Sequence, residues 1–408
     1  MARTFLSNIE STTMDYTAGY IEIRATDGRV FRFQKPEWPE SLGPAAKDFS
    51  RAVFYPADSL LTLVTPSGVS LEIETLDGDD AGQQLDDRAV VYLDQNIWVQ
   101  IAQAVHSPEK VPKAELEPTM RLIELVIDRR VILPLSAGHA IEIEQLGGKW
   151  RVELAREMVR LSRGWVMSDP LRVRRNELDD LIRNLDVGSD SAREERVFTL
   201  DTRTFFAESA EPYRPTGTDL PPEAVFLIQA LSGVHSLLAT LLEDSSTPRG
   251  GIAESTRWAS AHEALAGSLA ADPKARSRLR SITLLAFLSD LGDDLLHALE
   301  KHSVTPSKFQ EWVDTRADGA IARLPYLGRM REVVHRRLAN SQTAWGVNDL
   351  IDVLFLSCAA GYADYVVCEK HLAHHLKGVG HNLSGGAKVY SRCAPLIEDL
   401  EGGQPQAH

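Results

Sequence analysis

Residues 20–33, Tyr-Ile-Glu-Ile-Arg-Ala-Thr-Asp-Gly-Arg-Val-Phe-Arg-Phe, alternate apolar and polar side chains on both sides of Asp27-Gly28. Alternation with period two is what a half-buried strand requires, and Asp-Gly supplies the positive-φ residue of a tight hairpin. A second alternating pair, 61–64 and 69–73, flanks Pro66-Ser67-Gly68. The pattern predicts a small β-rich module over residues 1–76. The Asp-, Gly- and Gln-rich stretch that follows predicts an exposed acidic linker over 77–88.

From residue 89 the texture changes. Short apolar runs at 90–93, 131–135 and 365–368 predict strands, and 118–129 predicts the main helix joining the first two. Strands alternating with helices imply a central parallel sheet in a three-layer α/β fold. Residues 171–345 are almost entirely helical in pattern, including 224–242, 282–302 and 327–339, and predict a helical insertion or separate lobe. The α/β domain is therefore expected in two parts, 89–170 and 346–400, with a flexible tail at 401–408.

At 408 residues the chain is long enough for two or three domains. Its 43% hydrophobic and 25% charged residues are the balance of a soluble globular protein. No stretch approaches the roughly 20 apolar residues of a membrane span, and the N-terminus lacks a signal-peptide core. A cytoplasmic protein with no membrane partner is expected. Cys358, Cys368 and Cys393 form neither a CxxC pair nor a disulfide framework, which agrees with a reducing compartment. The net charge of −14 argues against broad attraction to nucleic acid and leaves only local basic patches. Those at Arg172, Arg174 and Arg175, at Lys274, Arg276, Arg278 and Arg280, and at Arg329, Arg331, Arg336 and Arg337 read first as solvated helix faces.

The candidate chemistry is carboxylate. Asp94 ends an apolar run and Asn96 follows two residues later, so the acid is either a helix cap or a ligand. Past the second run, in Ser-Ala-Gly-His-Ala-Ile-Glu-Ile-Glu, Glu142 shares a helix face with His139 three residues earlier, while Glu144 does not. Asp349 and Asp352 lie three apart in the late apolar helix; Asp349 suits a cap, and Asp352 sits deeper and needs a partner. Glu369 ends the run Tyr-Val-Val-Cys, repeating the placement of Asp94. Ligands of open α/β sheets bind outside the carboxyl ends of the strands. Carboxylates converging there repel one another unless a divalent cation joins them, and all-oxygen ligation favours Mg²⁺ or Mn²⁺ over zinc.

The ordered set Asp94 with Asn96, Glu142, Asp349 or Asp352, and Glu369 resembles the PIN-domain ribonucleases over about residues 88–165 and 345–385. Gln95 stands where that family commonly has Thr, Glu369 stands where it usually has Asp, and its compact toxin members lack the N-terminal module and the helical insertion. The resemblance implies a metal-dependent endoribonuclease that uses these acids with Mg²⁺ or Mn²⁺ to cleave single-stranded RNA, with Asn96 and His139 in support and Lys370, His371 and Lys377 facing the RNA. It also makes a protein inhibitor or partner conceivable. The alternative is a non-catalytic PIN-like scaffold engaging RNA or a partner protein.

Other chemistries fit less well. His371, His374, His375 and His381 lack the cysteine or carboxylate that would complete a zinc pattern, and they adjoin Lys370 and Lys377, which suits a solvated or RNA-facing surface. A haloacid-dehalogenase phosphatase requires Asp where Asn96 stands. GxGxxG, Walker and GxSxG motifs are absent.

Overall fold

The computed structural model describes residues 8–34, 49–75, 85, 88–144, 146, 148–185, 196–207, 233, 237, 240–241, 252–340, 343–379 and 386–402. The N-terminal module is one antiparallel sheet of β1 (Ile9–Asp15), β2 (Tyr20–Ala25), β3 (Val30–Gln34), β4 (Arg51–Tyr55), β5 (Leu60–Val64) and β6 (Ser70–Glu74), in the order β3-β2-β1-β4-β5-β6. The hairpin expected around Asp27-Gly28 is β2–β3, with Gly28 at φ 85°. Strands β4 to β6 bury Phe54, Leu61, Leu63 and Ile73 on one face, as their alternation requires.

A buried charge cluster ties this sheet to the rest of the molecule. Glu74, at the end of β6, accepts hydrogen bonds from Arg88 (2.8 and 3.1 Å), from Arg163 Nε (2.8 Å) and from Trp165 Nε1 (2.9 Å). Burial alone would raise its pKa, yet Arg88, Trp165 and Arg163 outweigh burial and lower it. Gly164 makes the close approach possible: it sits at φ 91°, and a Cβ there would lie 2.8 Å from Ile73.

The second sheet consists of β7 (Ala89–Leu93), β8 (Val131–Ile132), β11 (Tyr365–Val367) and β12 (Lys388–Tyr390), in the order β12-β11-β7-β8 with every pair parallel. Val90, Val91, Tyr92 and Leu93 are all buried, so β7 carries a continuous apolar run instead of an alternating one. Strand order reverses between β7 and β11, because the chain reaches β8 on one side of β7 and returns on the other. Between β7 and β8 run α1 (Gln95–His106) and α2 (Lys113–Ile127), which pack on each other. The expected helix 118–129 thus begins five residues earlier, and Pro118 lies inside it.

The strand expected over 131–135 stops at Ile132 because Pro134 has no N–H to offer a ladder; Leu135 instead bridges Val166. Two further short strands, β9 (Val166–Met167) and β10 (Phe198–Thr199), pair antiparallel. With β12, they are elements too short to leave a readable apolar run. β10 also interrupts the region expected to be helical.

The helical part contains α5 (Pro170–Arg183), α6 (Ile252–Ala271), α7 (Leu279–Lys301) and α8 (Leu327–Ala339), preceded in the chain by α3 (Ala137–Glu144) and α4 (Gly148–Ser162). α8 packs on α7 and on α9 (Asp349–Tyr362), so the helical part is joined to the α/β domain. The helix expected over 224–242 lies almost wholly outside the described residues. Several basic clusters are not the solvated faces the pattern suggests. Arg174 and Arg175 bind Asp294, Arg280 reaches Asp318 and Glu332, and Arg331 binds Asp318. Arg329, Arg331 and Arg337 are buried; Arg331 binds Asp318 and Arg337 binds Asp349, partners on other elements that helix periodicity does not reveal. The three cysteines are free and buried, and no helix among the described residues is long and apolar enough to cross a membrane.

Candidate metal centre and adjoining groove

Asp94 stands at the carboxyl end of β7, beside the switch between β7 and β11. Its backbone N–H donates to Val367 O at 2.9 Å, which extends the pairing with β11 by one residue. Its side chain caps α1 by accepting from Gln95 N at 2.9 Å, and Oδ2 accepts from Glu369 N at 3.4 Å. The cap and the site candidate are therefore one residue. Burial raises the Asp94 pKa; the two backbone donors pull against that, and the Glu369 charge adds to it.

His139 fixes the neighbouring helix. Ser136 N donates to its Nδ1 at 3.1 Å, so Nε2 carries the proton and donates to Leu93 O at 2.7 Å. The ring stacks on Tyr92 at 5.2 Å, and burial depresses its pKa to about 4. With both nitrogens engaged, His139 is a positioning residue, tying the start of α3 to the end of β7. His139→Ala would leave Leu93 O and Ser136 N buried without partners. A loss on the order of 3 kcal/mol is expected in urea denaturation.

One turn along α3, Glu142 faces the same place. Burial, then the charges of Asp94, Asp352 and Glu369, push it up to about 8. Glu144 is not among the charges acting on it.

The two acids of α9 separate cleanly. Asp349 accepts from Gly346 N at 2.5 Å and is ion-paired with the Arg337 guanidinium, which also lies 4.7 Å over the Trp345 ring. It anchors the start of α9. Asp352, one turn further, is pushed up to about 7 by burial and by Asp94, Asp349 and Glu369, with Arg337 opposing. Glu369 follows β11 at the exposed rim, its carboxylate 3.4 Å from His371 Nδ1.

Asp94, Glu142, Asp352 and Glu369, from four segments, thus lie near enough for their charges to act on one another. Among the described residues, no group of three or more His, Cys, Asp or Glu side chains is placed to hold a metal ion. The donor set nonetheless suits a hard divalent cation in kind. It is all carboxylate oxygen; the neighbouring Cys368 thiol is driven by burial far above the thiolate range, and His139 is occupied.

Beside these acids opens a groove of about 950 Å³, with Glu369 at its edge. Lys370, His371, His374 and His375 of α10 (Lys370–Val379) line one part of it, and Arg336 and Asn340 from the end of α8 another. Asn96 and Ser391 complete the wall. Lys377 is exposed but does not line the groove, and His381 lies outside the described residues. Burial, together with Arg337, His374, His371 and Arg336, lowers the His375 pKa. Sequence reasoning named Arg336 and Arg337 only as part of a basic cluster and missed Asn340 and Ser391. Ser391 follows β12, a strand with no readable pattern, so no signal pointed to it.

Compared with known proteins, the chain matches no protein-family model, no curated protein and no solved structure.

Proposed function

We propose that this protein is a PIN-like, metal-dependent endoribonuclease. The observation that supports the reading is the approach of Asp94, Glu142, Asp352 and Glu369 to one another outside the carboxyl ends of a parallel sheet, where burial first and then the charges of neighbouring acids raise the Glu142 and Asp352 pKa values to about 8 and about 7. A bound cation would relieve both penalties.

Mg²⁺ or Mn²⁺ bound there would lower the pKa of water and stabilise the attacking and leaving oxygens of a phosphodiester. The chain's own residues divide the remaining tasks. Asp94, held by α1 and by the Glu369 N–H, presents the most firmly oriented carboxylate. Glu142 and Asp352 would complete the carboxylates that hold the ion, in their ionised form. Arg337 keeps Asp349 out of the set and holds the start of α9. Arg336 and Lys370 in the groove offer fixed positive charge to a phosphate backbone, and Asn96, Asn340 and the histidines offer hydrogen bonds.

The test is Mn²⁺ titration of melting temperature, together with cleavage of single-stranded RNA. The sign with pH follows from the pKa directions. Glu142 and Asp352 are raised in the folded protein, so the metal-free protein loses their contribution as pH rises toward about 8, by at most about 1.4 kcal/mol per pH unit for each group. His139 is depressed and works oppositely, but only between about 4 and its ordinary value of 6.5. Above pH 6.5 His139 no longer contributes, and Glu177, raised to about 7 by burial, adds to the same loss. Melting of the metal-free protein is expected to fall from pH 6.5 to 8, and Mn²⁺ to raise it more at pH 8 than at pH 6.5. No melting response and no metal-dependent cleavage across RNA and DNA substrates would favour the non-catalytic scaffold.

A further inference from the structure

Among the described residues, the six-stranded sheet has an apolar face that becomes exposed toward one side. Following its ladder pairs, one row passes from Ile73 through Leu61 and Phe54, across β1, to Ile23 and Phe31; the adjacent row ends on Phe33. Exposure along these rows climbs from 1% at Ile73 and Leu61 and 5% at Phe54 to 46% at Phe31 and 52% at Phe33. An apolar stripe that ends in two half-exposed phenylalanines invites cover.

The backbone is open at the same place. β3 is the outermost strand, and among the described residues it pairs only with β2. Ala25 N donates to Arg29 O at 2.9 Å, which sets the parity of the β2–β3 ladder. Phe31 and Phe33 therefore turn their N–H and C=O toward β2, and Val30, Arg32 and Gln34 turn theirs outward. A free strand edge of this kind is a template for another strand.

Charge selects among occupants. Arg24 and Arg32 point to the opposite face, where Arg32 is neutralised by Glu22 at 2.6 Å and stacked on Tyr20 at 4.3 Å. Arg29, over Phe31 at 5.8 Å, is the cation beside the phenylalanines. That face suits an apolar strand better than a phosphate backbone.

We propose that the occupant is a second copy of this chain, whose β3 pairs antiparallel with β3 across a twofold axis at Arg32. This register engages all five residues of the strand. It joins the outward-facing groups of Val30 with those of Gln34 of the partner subunit. It also sets Phe31 against Phe33 of the partner subunit in non-hydrogen-bonded pairs, where side chains come closest. The two Arg32 side chains that face each other each bring their own Glu22, so no bare like charges meet. The result is one continuous sheet through both copies, with the phenylalanines of both edges covered.

Sedimentation equilibrium of the full chain tests the proposal. A concentration-dependent monomer–dimer equilibrium is expected. Arg32→Pro removes an N–H that β3 does not use within its own sheet, so this variant is expected to keep the wild-type circular dichroism and to sediment as a monomer. Phe33→Asp gives a second, side-chain test should proline disturb the strand. A wild-type chain that stays monomeric to its solubility limit, or a dimer that persists in folded Arg32→Pro and Phe33→Asp variants, overturns it.

Discussion

Asp94→Asn is expected to reduce metal-dependent RNA cleavage by more than about 100-fold, since even outer-shell partners of metal ligands typically contribute 10–100-fold. The substitution keeps the shape of the side chain and its ability to accept from Gln95 N, so α1 remains capped. It removes the charge that raises both Glu142 and Asp352. Two results should therefore appear together. Cleavage and the Mn²⁺-induced rise in melting temperature are lost, while the metal-free variant melts higher than wild type at pH 8. A purely structural Asp94 predicts the reverse, because losing a cap carboxylate lowers stability without a pH signature. Melting curves at pH 6.5 and pH 8, with and without Mn²⁺, separate the two.

Glu74→Ala is expected to cost roughly 3–5 kcal/mol, the largest stability loss among single substitutions at the sheet junction. The cost lies mainly in what remains. Arg88 and Arg163 have side chains only 8% and 9% exposed, and both would lose the buried carboxylate that accepts from them. Trp165 Nε1 would lose its acceptor as well. Arg163 retains Glu72 at 3.0 Å, which limits the loss on that side. The urea midpoint measures the effect; a midpoint within error of wild type would mean that the cluster is dispensable to the junction. Glu74→Gln retains an acceptor and should fall between the two.

Local pattern made much of the architecture legible. The β2–β3 hairpin follows from alternation around Asp27-Gly28, and β7 and β11 follow from apolar runs ended by acids. Both kinds of signal arise within a few residues, where side-chain period and turn chemistry act directly on the backbone. β9, β10 and β12, of two or three residues, lie in no such run and lack the length to establish a period. Pro134 and Pro118 misled in opposite directions, since one ended a strand early and the other sits inside a helix.

At the acidic centre the division is similar. The types and order of Asp94, Glu142, Asp352 and Glu369 are written in the chain, because each acid sits against an apolar segment that makes its presence costly. Which of Asp349 and Asp352 turns toward the others is not. Arg337 captures Asp349, and that contact depends on α8 packing against α9, as does the burial of Arg329 and Arg331. The His139 bond to Leu93 O, the Glu74 cluster and the groove beside Glu369 likewise join segments distant in the chain. Periodicity reports the face a residue occupies on its own element; its partner, and hence its charge state, depends on which distant elements pack against it.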